Sequence, residues 1–134
     1  MPLKRGFKQL VADAKARIKT VSVAEAQAML GEPNVQFVDI RDVRELQHDG
    51  KIPGAFNAPR GMLEFWVDPE SPYYKDVFTE GKTYVLYCKS SWRSALATAA
   101  LEDMGLTPVC DIDGGFTAWQ AAGAPVEAVE RHKG

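Results

Sequence analysis

The sequence predicts an α/β domain built on a mainly parallel β-sheet flanked by helices. Three observations carry that expectation. Short β-prone apolar runs alternate with segments of helical period, the pattern of strands joined by helical crossovers. At 134 residues, 46% hydrophobic and 25% charged, the chain has enough apolar material for one hydrophobic core. One apolar run, Tyr84–Tyr87, delivers Cys88 into a short polar loop that opens a helix.

Taken in order, Phe7, Leu10, Val11, Ala14 and Ile18 recur at helical spacing, with Lys8, Asp13, Lys15 and Arg17 between them. Residues 1–19 are therefore expected to carry an amphipathic helix that packs one stripe on the body. Ser22 and Glu25 make a capping-box pattern for a short helix running to Leu30 and stopped at Gly31. Val35–Ile40 reads as a buried strand. Asp39 and Arg41 lie at its carboxyl end, where open α/β sheets place their sites, and the pair is expected to tie a loop down rather than to react.

Asp42–Gln47 fits a helical turn, and Gly50–Ala55 has turn chemistry around Pro53 and Gly54 before a short strand near Phe56–Ala58. Gly61–Trp66 fits another turn of helix. No period runs from Val67 to Gly81, so an ordered surface loop is expected. Its aromatics, with Phe65 and Trp66, either pack in the core or wall one side of a pocket. Thr83–Tyr87 is the strand that feeds Cys88. A helix over Ser94–Met104 closes at Gly105, Pro108–Ile112 is one more strand, and Gly114 and Gly115 open a last helix, Phe116–Ala121. The domain proper spans 20–126, and the charged tail 127–134 is expected to fray.

Composition excludes several classes. A net charge of −2 gives no global field toward nucleic acid or an anionic membrane. No apolar run approaches the roughly 20 residues that span a bilayer. The basic residues near Met1 are followed by no apolar h-region, so a cytoplasmic location is expected. Two cysteines, Cys88 and Cys110, are too few for a disulfide framework, although a single bridge between them is open. No cysteine–histidine cluster suggests a metal.

The chemistry concentrates in Cys88-Lys89-Ser90-Ser91-Trp92-Arg93-Ser94. A thiol at a strand end, facing a helix N-terminus and a guanidinium, sits where a thiolate is stabilised. Converging loop amides can bind an anion, joined by Lys89 and Arg93 if these point inward. Ser90 and Ser91 are small enough for a tight curl, and Ser94 can cap an amide or donate to the cysteine sulfur. His48 and His132 are the only histidines and both stand in polar segments, so a Cys–His mechanism is disfavoured. Cys88 is the candidate nucleophile, and Lys89, Ser90, Ser91, Trp92, Arg93 and Ser94 are the candidate substrate-binding residues. The plainer alternative is a buried structural cysteine ahead of a helix.

Four motifs, in order, resemble the rhodanese-like sulfurtransferases: Val38-Asp-Ile-Arg41, Gly50-Lys-Ile-Pro-Gly-Ala55, the Cys88–Ser94 loop, and Asp113-Gly-Gly-Phe with Trp119. The resemblance covers roughly Thr20 to Val126. It implies a three-layer domain, a central parallel sheet with Cys88 at the bottom of a shallow pocket. It further implies transfer of sulfane sulfur from a small anionic donor such as thiosulfate, through a Cys88 persulfide, to cyanide, a thiol or a protein. No cofactor is implied. Ser91 stands where many members have glycine, and Lys51 where they have histidine. A non-catalytic binding module of the same family, a persulfide relay, and a cysteine-based phosphatase or arsenate reductase are the alternatives. In such phosphatases the loop has five residues between cysteine and arginine, against four here.

Overall fold

The structure, a computed structural model, describes residues 2–79 and 81–130. Its centre is a five-stranded sheet, β1 (Lys19–Val21), β2 (Val35–Asp39), β3 (Phe56–Asn57), β4 (Thr83–Tyr87) and β5 (Val109–Ile112). The spatial order is β1-β5-β4-β2-β3, and every pairing is parallel. β4 is the middle strand, so the loop that follows it emerges at the centre of the sheet's carboxyl edge.

Parallel strands buried on both faces must be apolar along their whole length, and β4 shows how each face is filled. Tyr84, Leu86 and Cys88 point into one core with Val38, Leu63 and Leu101. Val85 and Tyr87 point into the other with Ile52, Ile112, Phe116 and Trp119. Cys110 belongs to that second core, so the two cysteines occupy opposite faces and both are free. The bridge left open by the sequence is not made.

Among the described residues six α-helices accompany the sheet: α1 (Phe7–Arg17), α2 (Val23–Met29), α3 (Val43–Asp49), α4 (Leu63–Val67), α5 (Trp92–Met104) and α6 (Gly115–Ala121). Ser22 caps α2 with the expected reciprocal box, and Asp42 and Glu45 make a second box at α3. α1 lies outside the three layers and packs on α5 through Val11, Ala14, Ala95 and Ala99, with Ile18 and Leu96 beside them. Only part of its apolar stripe is covered: Phe7 and Leu10 stay 49% and 39% exposed. None of the described helices is long and apolar enough to cross a membrane.

One element has no counterpart among the expectations, and three expectations need correction. β1 has no signal in the sequence: it is three residues long, and two of them are exposed. The unpatterned stretch after Val67 contains a 3₁₀ turn at Asp76–Thr79, which buries Phe78 against the rings of Phe56 and Tyr84. With Val67, Asp68 and Pro69 it walls a cavity of about 400 Å³ beside Met104–Leu106, where α5 ends, and so at the far end of the sheet from Cys88. α5 begins at Trp92, two residues earlier than Ser94. Finally, the tail is not free at its start: Lys51 and Glu127 exchange backbone hydrogen bonds of 2.9 and 2.8 Å. The remainder of the fraying expectation, and His132, fall at 131–134, outside the described residues.

Candidate active site

Three loops meet at the carboxyl edge of the sheet, those after β2, β4 and β5. Cys88 directly follows β4 and is 1% exposed, so its thiol is buried beneath the loop it opens. Its carbonyl accepts from Phe116 N at 2.8 Å, and the carbonyl of Lys89 accepts from Thr117 N at 2.9 Å, which fastens the loop to the start of α6. Lys89, Ser90 and Trp92 of this loop are exposed. Among the described residues, the amides of Ser90, Ser91, Trp92 and Arg93 have no protein acceptor. A helix start leaves such donors free, and they carry positive partial charge.

The close approach of α6 depends on Gly115. Its φ is +59°, and a Cβ there would lie 2.0 Å from the Ser90 carbonyl oxygen and 2.6 Å from that of Cys88. Backbone atoms cannot yield as a flexible side chain does. Gly115→Ala is expected to cost about 2–4 kcal/mol by urea unfolding and to lower alkylation of Cys88 in parallel. An unchanged midpoint and unchanged alkylation would contradict this geometry.

Arg93 does not stand free over the pocket. Its Nη1 and Nη2 donate to Glu45 Oε2 and Oε1 at 2.8 and 3.0 Å, a two-pronged pair across the mouth. The Glu45 carboxylate holds the guanidinium pKa above its ordinary value, with Cys88 a smaller contributor and burial opposing both. In return Arg93 holds Glu45 below the usual carboxylate value. Glu45 had a sequence signal only as a capping-box residue.

Ser94, expected to cap the helix or serve the cysteine, does neither. It is buried three residues into α5, and its Oγ donates to Asp111 Oδ2 at 3.0 Å, while Thr20 Oγ1 donates to Asp111 Oδ1 at 2.8 Å. Burial raises the Asp111 carboxyl pKa, and the two hydroxyl donors oppose that rise. Ser91 is the N-cap of α5 with φ −169°, a value that needs no glycine. Its Oγ accepts from Lys15 Nζ of α1 at 2.7 Å. Burial pushes the Cys110 thiol up to about 11.

Asp39 and Arg41 form a buried brace behind the site. Arg41 Nε and Nη2 donate to Asp39 Oδ1 and Oδ2 at 2.9 and 2.6 Å, and Nη2 also donates to Gly50 O at 2.8 Å. The guanidinium lies 4.3 Å from the Phe116 ring centroid and 5.7 Å from that of Tyr87. One cation thus joins the end of β2, the Gly50 turn and α6. Lys51, at the position of the family's histidine, donates to Ala55 O in the same turn. No three His, Cys, Asp or Glu side chains among the described residues converge as a metal site requires.

The Rhodanese-like domain family matches residues 22–122. The chain belongs to this family. A thiosulfate sulfurtransferase of Pseudoalteromonas translucida is 31% identical over 114 residues, covering 84% of this chain and 97% of that protein. An uncharacterised Synechocystis protein is 32% identical over 106 residues, and the chain spans about half of it, 54% against 79% of this chain. A solved structure from Rhodopseudomonas palustris, named a protein of unknown function and possible tyrosine phosphatase, is 50% identical with a TM-score of 0.92, covering 95% of this chain and 98% of that one. The match begins at residue 22, after α1, so Lys15 reaches the loop from outside the matched residues.

Proposed function

We propose that the protein is a sulfurtransferase that carries a sulfane sulfur on Cys88. The observation that carries this is the loop: a nearly buried thiol at the carboxyl end of the central strand, beneath amides that no group among the described residues accepts from. The Cys88 thiolate attacks the outer sulfur of thiosulfate. A new S–S bond forms as the S–S bond of thiosulfate breaks, and that bond's electron pair leaves on sulfite. The Cys88 persulfide anion remains, stabilised by the loop dipoles. Cyanide, a thiolate or a protein thiolate then attacks the outer sulfur, and Cys88 departs as the thiolate. Because the sulfur is held covalently, the reaction uses no resident cofactor. The partners are a small anionic donor and a thiophilic acceptor, in the cytoplasm.

A phosphatase is the second candidate, raised by the name of the Rhodopseudomonas structure. Two features disfavour it. Only four residues, Lys89 to Trp92, separate Cys88 from Arg93, which closes the ring around an anion. Glu45 also engages both Nη atoms of the Arg93 fork that would grip a phosphate dianion, and adds a negative charge. Purified protein supplied with thiosulfate and cyanide should form thiocyanate and leave p-nitrophenyl phosphate intact. Ester turnover without thiocyanate would reverse the assignment.

Arg93 gives a sharper prediction. With Glu45 as its counter-ion, its removal leaves a carboxylate at the mouth, which repels an anionic donor more than a neutral one. Arg93→Ala should cut loading by thiosulfate on the order of tenfold or more and loading by a neutral organic polysulfide by about threefold or less. Equal losses with both donors would mean that Arg93 only holds the loop together.

A further inference from the structure

We propose that Lys15, on the helix that precedes the rhodanese-like domain, is a positioning residue for the Cys88 loop and acts through Ser91. Its catalytic meaning rests on the sulfurtransferase assignment above; the contact itself does not. Three helix starts in this chain can be compared. Ser22 and Asp42 have extended backbones, ψ 165° and 142°, and each turns its side-chain oxygen onto the amides of its own helix. Ser91 has ψ 10° and makes no such bond. Its Oγ accepts instead from Lys15 Nζ at 2.7 Å, although 76 residues separate the two.

A serine at an N-cap ordinarily satisfies one of the first amides of its helix. At α5 that would occupy a donor at the place where the substrate anion binds. Lys15 draws the hydroxyl the other way and so keeps the amides of Trp92 and Arg93 open, while adding a positive charge to that end of the helix. The lysine is presented by a docked helix rather than a loose arm. Phe7 packs on Trp92 with ring centroids 4.8 Å apart, and Arg17 makes a two-pronged pair with Asp103 at 2.9 and 3.0 Å. On its inner side Lys15 also faces the buried Asp111 carboxylate, which Ser94 and Thr20 satisfy.

The test compares alkylation of Cys88 by iodoacetate, an anion, and by iodoacetamide, its neutral counterpart, with intact mass as the readout. Neither reagent requires transfer of a sulfane sulfur. The proteins are wild type, Lys15→Met, Lys15→Arg and the double variant Lys15→Met/Ser91→Ala, each checked by thermal unfolding. Lys15→Met should lower the iodoacetate-to-iodoacetamide rate ratio about fivefold, and Lys15→Arg should keep it within about twofold of wild type. Adding Ser91→Ala should recover most of the ratio, because no hydroxyl remains to occupy the amides. A purely structural lysine would change both rates together and leave the ratio alone, which overturns the proposal. A double variant as low as Lys15→Met overturns it too, since Lys15 would then act by some route other than Ser91. If the ratios follow expectation but wild type takes no sulfur from thiosulfate, the sulfurtransferase assignment fails and the positioning role stands.

Discussion

Replacing Cys88 by serine is expected to remove sulfur transfer, a loss on the order of a thousandfold or more, while Cys110→Ser keeps most of it. The contrast follows from where β4 and β5 put the two thiols. Cys88 follows its strand at the carboxyl edge, under the open start of α5. Cys110 lies within β5, on the opposite face of the sheet, where burial pushes its thiol up to about 11. A hydroxyl in place of the Cys88 thiol retains the size and the hydrogen bonding but is a far weaker nucleophile at neutral pH and cannot hold a sulfane sulfur. Thiocyanate formation from thiosulfate and cyanide measures both variants. Near-wild-type turnover by Cys88→Ser would remove the nucleophile from the mechanism.

The second large effect concerns stability. Asp39→Ala leaves the Arg41 guanidinium, 1% exposed, without its carboxylate, and a stranded buried charge costs about 3–5 kcal/mol. Gly50 O and the Phe116 ring remain beside the cation but carry no negative charge to balance it. Urea unfolding should show that loss as a lower midpoint with a similar slope. Removing both charges, in Asp39→Leu/Arg41→Met, should recover part of it, because an apolar pair has no charge to desolvate. The recovery is partial, since Gly50 O loses its donor. An Asp39→Ala protein within about 1 kcal/mol of wild type would show that the brace is not needed to hold the site's loops.

What was legible in the sequence was local. The period of β2 and β4, the Ser22–Glu25 box and the strand-cysteine-loop-helix order each depend on residues a few positions apart, and each is found within a residue or two of its expected place. β1 escaped because its three residues carry no pattern and are fixed only by pairing Lys19, Thr20 and Val21 with Cys110, Asp111 and Ile112. The partners of the loop escaped for the same reason. Arg93 finds Glu45 across 48 residues, and Ser91 finds Lys15 across 76. Ser94 is drawn to Asp111 by the packing of α5 on β5 rather than by its own helix start. The family motifs gave Gly114 and Gly115 as a pair, but only the 2.0 Å approach to Ser90 O tells why the second has no side chain.

The most direct measurement is an intact mass spectrum of the reduced protein before and after thiosulfate, with Cys88→Ser beside it. The account predicts that wild type gains the mass of one sulfur atom, that cyanide removes it, and that Cys88→Ser gains nothing. An unchanged wild-type mass with thiosulfate and with an organic polysulfide, or an equal gain in Cys88→Ser, would contradict a Cys88 persulfide.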